Sequence, residues 1–353
     1  MRAWAVVAHN APLECVELPD PEPVGTEVVV EVTHCGVCHS DLHLWHGGYD
    51  LGGGRMLSVK DRGLVLPAAP GHEIVGRVAR LGPEATGVGV GDVRVVYPWV
   101  GCGQCARCRA EEDNLCAAQR SLGVSVNGGF GRLVQVPHPR YLVPFDGVVP
   151  SLAATYACSG LTAYSAVRKI LPLPPEAVVV LIGAGGLGLA AIAVLRALGH
   201  STIVSVDVSA AKREAATAAG ATTAVDPAGE DAIACIGGTG PVGAVIDFVG
   251  SDATVQMAMG LLPKGAKLIL VGIGGGELTL SVASTIFRAH TVQGSLTGSI
   301  PELRAVLALA QEGRLAATPV HEVAKAEVNK VMVALQAGQV TGRVVLTEPA
   351  SGG

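Results

Sequence analysis

Four cysteines crowd one short stretch, Cys102-x2-Cys105-x2-Cys108-x7-Cys116. Four thiolates at this spacing can close a tetrahedral zinc shell with no open position, so the ion would brace its own lobe and bind no substrate. Iron–sulfur spacing is superficially close, and a redox pair is a further alternative, but a redox cluster would not explain the rest of the chain. Arg107, Arg109, Glu111, Glu112 and Asp113 read as the solvated face of that lobe. A looser set comprises Cys35-Gly36-Val37-Cys38-His39-Ser40-Asp41, Gly71-His72-Glu73 and Cys158. Two thiolates and one imidazole leave a fourth position for water or substrate, the arrangement of a catalytic zinc. Spacing alone does not select these residues from nine cysteines and ten histidines. A plain buried Cys158, a core His72 and a Cys35/Cys38 redox pair all stay open at this level. A third motif, Gly183-Ala184-Gly185-Gly186-Leu187-Gly188, fits G-x-G-x-x-G. Its glycines allow a tight turn and let the backbone approach a pyrophosphate at a helix N-terminus. Asp207 follows at the distance where an acid bonds the adenosine ribose hydroxyls, and its charge would repel a 2′-phosphate, which favours NAD over NADP.

These groups need elements to hold them. The apolar run Ala177–Ile182 precedes the glycine turn, and Leu187–Leu198 reads as the helix after it. The uncharged stretch Ala177–Leu195 is long enough to span a membrane, but four glycines break it, so it reads as strand, turn and buried helix. Further strands are expected at Thr202–Asp207, Ala244–Val249 and Lys267–Val271, with helices at Ala210–Ala219, Ala253–Leu262 and Pro301–Gln311. Strand–helix alternation from about Thr155 predicts a doubly wound parallel sheet. Before it the texture is β-rich, with apolar runs such as Val28–Val32 and Ile74–Val78 broken by glycine turns, and a last strand is expected at Arg343–Leu346. The fold class is therefore α/β. A chain of 353 residues suits two domains. It is 49% hydrophobic with a net charge of -5, which argues against nucleic acid or an acidic membrane surface as partner. The start, Met1-Arg2-Ala3-Trp4, has no signal-peptide pattern, so the cysteines are expected in a reducing cytoplasm.

Taken together, Cys-Gly-Val-Cys-His-Ser-Asp (35–41), Pro-Gly-His-Glu (70–73), the four-cysteine lobe, Ala-Cys-Ser-Gly-Leu-Thr-Ala-Tyr (157–164) and the glycine turn resemble the zinc-dependent alcohol dehydrogenases of the medium-chain dehydrogenase/reductase superfamily over nearly the whole chain. The resemblance implies a GroES-like catalytic domain over 1–157 and 298–353, its zinc lobe at about 99–117, and a Rossmann NAD-binding domain over 158–297. It implies NAD and two zinc ions, one catalytic on Cys38, His72 and Cys158 and one structural on Cys102, Cys105, Cys108 and Cys116. Cys35 looks like a neighbour of the catalytic ion. Glu73 resembles the acid behind the metal, and Asp41 the carboxylate that orients the histidine ligand. Ser40 resembles the hydroxyl that starts a proton relay and His43 its outer end. His39 and Arg343 resemble basic residues at the pyrophosphate, and Lys212 a cation by the adenosine ribose. Thr162, Val271 and Ile273 look like nicotinamide neighbours.

Tyr49 and Trp99 fall where such enzymes line the substrate pocket. Relative to the short yeast-like members, an insertion runs between Tyr49 and His72, to be read as a lid, a pocket wall, a subunit contact or a plain surface loop. The implied reaction is reversible hydride transfer between NAD and a small to medium primary alcohol, with secondary or aromatic alcohols as further candidates. A polyol or other secondary-alcohol dehydrogenase of the same superfamily is the alternative, although many of those carry glutamate where this chain has Cys158. A non-catalytic zinc or nucleotide-binding protein is the alternative of another class. A homo-oligomer, a tetramer or a dimer, is expected.

Overall fold

The computed structural model describes residues 1–229 and 231–348, so the last five residues of the expected 298–353 segment lie outside the described residues. Strands between 178 and 294 form a six-stranded sheet in the order Thr223–Val225, Ile203–Val206, Val178–Ile182, Val242–Asp247, Lys267–Leu270, Thr291–Gly294. Every pairing in it is parallel. All five residues of Val178–Ile182 are buried, as expected of an apolar, β-branched run covered on both faces. Strand order reverses between Val178–Ile182 and Val242–Asp247. In open α/β sheets that reversal opens a crevice at the carboxyl ends of the strands. The glycine turn lies there, followed by the helix Gly186–Ala197.

A second, seven-stranded sheet runs Val320–Ala324, Arg343–Thr347, Val28–Gly36, Glu73–Leu81, Val93–Val96, Leu142–Val143, with Leu133–Val136 also pairing on Val28–Gly36. The strand Val28–Gly36 is its hub. Gly36 pairs with Glu73 on one side and with Val345 on the other. The C-terminal strand thereby reaches the residue that follows His72.

Between the sheets runs one long helical segment. It consists of the helix Pro150–Thr155, a π-helical turn Tyr156–Gly160 and the helix Leu161–Ile170. A π turn inserts one extra residue into the helix and re-aims its side chains, and such turns concentrate at functional sites. Cys158 sits in its middle.

The insertion after Tyr49 forms a hairpin, Gly48–Asp50 against Met56–Ser58. It leans on the loop after Lys267–Leu270, where Arg55 pairs with Glu277 at 3.2 Å. Among the described residues, no helix is long and apolar enough to cross a membrane.

Candidate active site

The strand Val28–Gly36 delivers Cys38 just past its end, the start of Glu73–Leu81 delivers His72, and the π turn delivers Cys158. All three are buried, and their ligand atoms lie within 4.8 Å of one another. The two sulfurs are 4.0 Å apart. Zn–S bonds of about 2.3 Å at tetrahedral angles separate sulfurs by roughly 3.8 Å. Both ring nitrogens of the fully buried His72 lack a hydrogen-bond partner. Burying an unpaired imidazole is unfavourable unless something else satisfies it, so the donor set fits a metal ion with one open position. Cys35 is fully buried close by but is not part of this group.

Asp41, also fully buried, braces the set. Its carboxylate accepts the backbone N–H groups of Cys38 at 2.8 Å and Gly71 at 3.0 Å, and stands 3.4 Å from His72 Nδ1. Glu73 lies behind the metal group. Its Oε1 accepts the Ser159 N–H at 3.2 Å and pairs with the Arg343 guanidinium. Burial pushes the Glu73 carboxyl up to about 7, although the Arg343 charge opposes it. Burial would lower the Arg343 pKa, but the Glu73 and Cys38 charges outweigh it and keep the guanidinium protonated. Gly36 makes this arrangement possible, because a Cβ there would lie 1.9 Å from Glu73 Oε2. The sequence held Gly36 in a motif without showing that role.

Ser40 and His43 lie three residues apart on the helix His39–His46 and so share a face. His43 is half-buried, and burial holds it below the ordinary imidazole value. Its ring sits 4.7 Å from that of Tyr49. Burial raises the Tyr49 phenol to about 12, and the Arg62 guanidinium from the insertion lies over its ring at 5.4 Å. On the other side, the Trp99 ring is 5.3 Å from His72 and its indole N–H donates to the Ala157 carbonyl at 3.2 Å. Trp99 therefore adjoins the metal group, and Tyr49 adjoins His43. His39 is exposed at the start of its helix.

At the glycine turn Gly183, Gly186 and Gly188 each have a geometric reason. Gly183 has φ +95°. A Cβ on Gly188 would lie 2.0 Å from the Gly183 carbonyl, and one on Gly186 would lie 2.3 Å from Arg343 Cδ. Gly185 caps the helix, faces open space and is followed by Gly186 and Leu187 in its first turn. Asp207 follows the strand Ile203–Val206 and accepts the N–H groups of Ala184 at 2.8 Å and Ser209 at 2.9 Å. Lys212 is half-buried on the next helix. Thr162 is buried with its hydroxyl unpaired. Val271 donates its N–H to the Asp247 carbonyl at 2.9 Å, and Ile273 is 47% exposed at the crevice. Arg343 was expected at the pyrophosphate. The structure lays it across Gly186 at the turn but pairs its charge with Glu73.

Cys102, Cys105, Cys108 and Cys116 form a second group, with ligand atoms within 4.8 Å of one another. Sulfur separations of 3.5, 3.8 and 4.0 Å match a closed tetrahedral zinc shell. One expectation for this lobe is corrected. Asp113 is not on its solvated face but fully buried, accepting the Tyr141 hydroxyl at 2.8 Å and pairing with Arg140.

Residues 25–147 match the alcohol dehydrogenase GroES-like domain family and residues 186–312 the zinc-binding dehydrogenase family. The chain is 34% identical to an NAD-dependent alcohol dehydrogenase of Sulfurisphaera tokodaii, covering 98% of this chain and 99% of that one. It is 33% identical to a D-arabinose 1-dehydrogenase (NADP(+)) of Saccharolobus solfataricus, covering 98% and 97%. Among solved structures, the alcohol dehydrogenase of Aeropyrum pernix superposes with a TM-score of 0.89 at 32% identity, covering 99% of this chain and 100% of that one. With motif, geometry and relatives in agreement over its length, the chain belongs to the zinc-dependent alcohol dehydrogenases of the medium-chain dehydrogenase/reductase superfamily.

Proposed function

We propose that the enzyme interconverts small to medium alcohols, primary and in part secondary or aromatic, with their aldehydes or ketones, using NAD as hydride acceptor. The carrying observation is the buried Cys38–His72–Cys158 group, three ligands with one position left open, beside the glycine-turn crevice. Cys38, His72 and Cys158 would hold a catalytic zinc, and Cys102, Cys105, Cys108 and Cys116 a structural one. The catalytic ion supplies a Lewis-acid charge that lowers the alcohol's pKa, and NAD supplies the hydride acceptor. Asp41 holds His72 in orientation. The Ser40 hydroxyl takes the alcohol proton and passes it toward His43, whose neutral imidazole accepts it at the outer end. Tyr49 and Trp99 wall the alcohol. Gly183, Gly185, Gly186, Leu187 and Gly188 present the turn to the pyrophosphate, with His39 and Arg343 as its basic residues. Asp207 takes the adenosine ribose with Lys212 beside it, and Thr162, Val271 and Ile273 face the nicotinamide.

We assign the catalytic domain to 1–157 and 298–353 and the NAD domain to 158–297. Unpaired cysteines support a cytoplasmic setting. The helix Val282–Arg288 buries none of its residues, and Thr291–Gly294 ends its sheet. These features support pairing with a second copy, in a dimer or tetramer.

The test is NADH formation across primary, secondary, aromatic and polyol substrates, with zinc bound and after chelation. Zinc-dependent turnover of simple alcohols is the expected result. Preference for polyols or sugars would favour the alternative reading, which the D-arabinose 1-dehydrogenase relative keeps in view. Silence across the panel with two zinc ions per chain bound would overturn the proposal.

A further inference from the structure

Thr297 has φ +45°, a left-handed backbone that a β-branched residue adopts only when its surroundings force it. The two carbonyls that flank it are held by one side chain from the four-cysteine lobe and one from the end of the strand Val93–Val96. Asn114 Nδ2 donates to the Leu296 carbonyl at 2.8 Å, and the Tyr97 hydroxyl donates to the Gly298 carbonyl at 2.7 Å. Both side chains are buried. They share a base, since Tyr97 stacks on Tyr141 at 6.1 Å and Tyr141 bonds Asp113, the residue before Asn114.

The segment they hold lies at the ligand end of the parallel sheet. Ser295 follows the strand Thr291–Gly294 and donates its N–H to the Leu270 carbonyl at 2.8 Å, which places it beside Val271. Ser295 Oγ and Thr297 Oγ1 are buried with no hydrogen-bond partner. Gly298 packs so closely on Leu161 that a Cβ would lie 2.5 Å from its Cδ1. Leu161 adjoins Thr162 and follows the turn that carries Cys158. A shift of this crossover would therefore move the nicotinamide side of the cleft.

We propose that Asn114 and Tyr97 are positioning residues for the coenzyme, fastening the strained crossover Ser295–Gly298 to the four-cysteine lobe directly through Asn114 and, through Tyr97, to the strand end that packs against that lobe by way of Tyr141 and Asp113, so that the structural zinc lobe sets the cleft's geometry as well as its own stability. The inference rests on the NAD site proposed above. Neither side chain touches the reacting atoms.

The test uses zinc-loaded protein and the variants Asn114→Ala, Tyr97→Phe and both together. Tyr97→Phe removes a single oxygen, so it remains informative if the alanine variant folds poorly. Glu111→Gln serves as control, because it removes only the exposed ion pair to Arg304 on the same side of the lobe. NAD affinity is read by calorimetry, zinc is counted, and KM is measured separately for NAD and for alcohol. The expected result is an NAD affinity weakened about fivefold for each tether, a combined effect below the product of the two, two zinc ions retained, and alcohol KM within twofold of the parent. A lowered melting temperature with unchanged NAD affinity would overturn the proposal, as would weakening that appears only when zinc is lost or equally in Glu111→Gln. If no alcohol is turned over, the functional reading fails, while the calorimetric arm still decides this one.

Discussion

The sharpest energetic test is Glu73→Gln. Glu73 is fully buried, and its partner Arg343 is only 5% exposed. Removing one member of such a pair strands the other charge in a dry site, which is destabilising by about 3–5 kcal/mol. Glutamine keeps an oxygen for the Ser159 N–H and can still accept from the guanidinium, which sets the expectation at the low end, about 3 kcal/mol. For a domain of roughly 200 residues, that lowers the melting temperature by about 6–12 °C. Calorimetry of the zinc-loaded protein reads it, on the alkaline side of about 7 where the Glu73 carboxyl is ionised. Glu73→Gln combined with Arg343→Met removes both charges and should recover much of the loss, since no uncompensated charge then remains buried. In Glu73→Gln the freed Arg343 faces the glycine turn without competition, so NAD should raise the melting temperature of the variant more than that of the parent. A loss below about 1 kcal/mol, or a double variant worse than the single one, would refute the claim that this charge pair is sealed from water.

Cys38→Ala should lower the zinc count from two to one and turnover by about a thousandfold while the fold persists; an unchanged zinc count would remove Cys38 from the ligand set. Cys105→Ala should lower the melting temperature by on the order of 10 °C, and unchanged stability would count against a zinc-braced lobe. Asp207→Gly should ease NADP binding at least about tenfold, because it removes a carboxylate whose charge would repel a 2′-phosphate; the ratio of the two coenzyme affinities checks it. His43→Gln should slow alcohol oxidation roughly tenfold to a hundredfold at neutral pH. Because burial lowers the His43 pKa from 6.5, the stability its neutral form contributes is full above pH 6.5 and is lost as pH falls through the folded value. The acid limb of the parent's rate profile should accordingly lie below pH 6.5 and vanish in the variant.

Much of this was legible because it is local. The strand Val178–Ile182, the glycine turn and its helix follow from a continuous apolar run, φ-permissive residues and periodicity within about twenty residues. The four-cysteine lobe is likewise a short-range pattern. Short edge strands such as Thr223–Val225 and Thr291–Gly294 carry too few residues for a period and escaped notice. The π turn around Cys158 left no signal, since nothing in Ala-Cys-Ser-Gly distinguishes an i+5 from an i+4 bond. Asp113 looked solvated because its neighbours are charged, and only Arg140 and Tyr141, far along the chain, make its burial tolerable. The insertion's contact with Glu277 spans more than two hundred residues and was equally invisible.

Arg343 shows why the catalytic and coenzyme halves of the cleft cannot be treated as separate modules. Its charge answers Glu73 behind the metal group, while its methylenes lie against Gly186 in the coenzyme turn. Both contacts depend on missing side chains, at Gly36 on one side and Gly186 on the other. Both also depend on the C-terminal strand inserting beside Val28–Gly36, where Val345 pairs with Gly36. The last strand among the described residues is thus a piece that joins the two halves electrostatically. The small residues that admit it belong to motifs otherwise explained by metal and coenzyme binding alone.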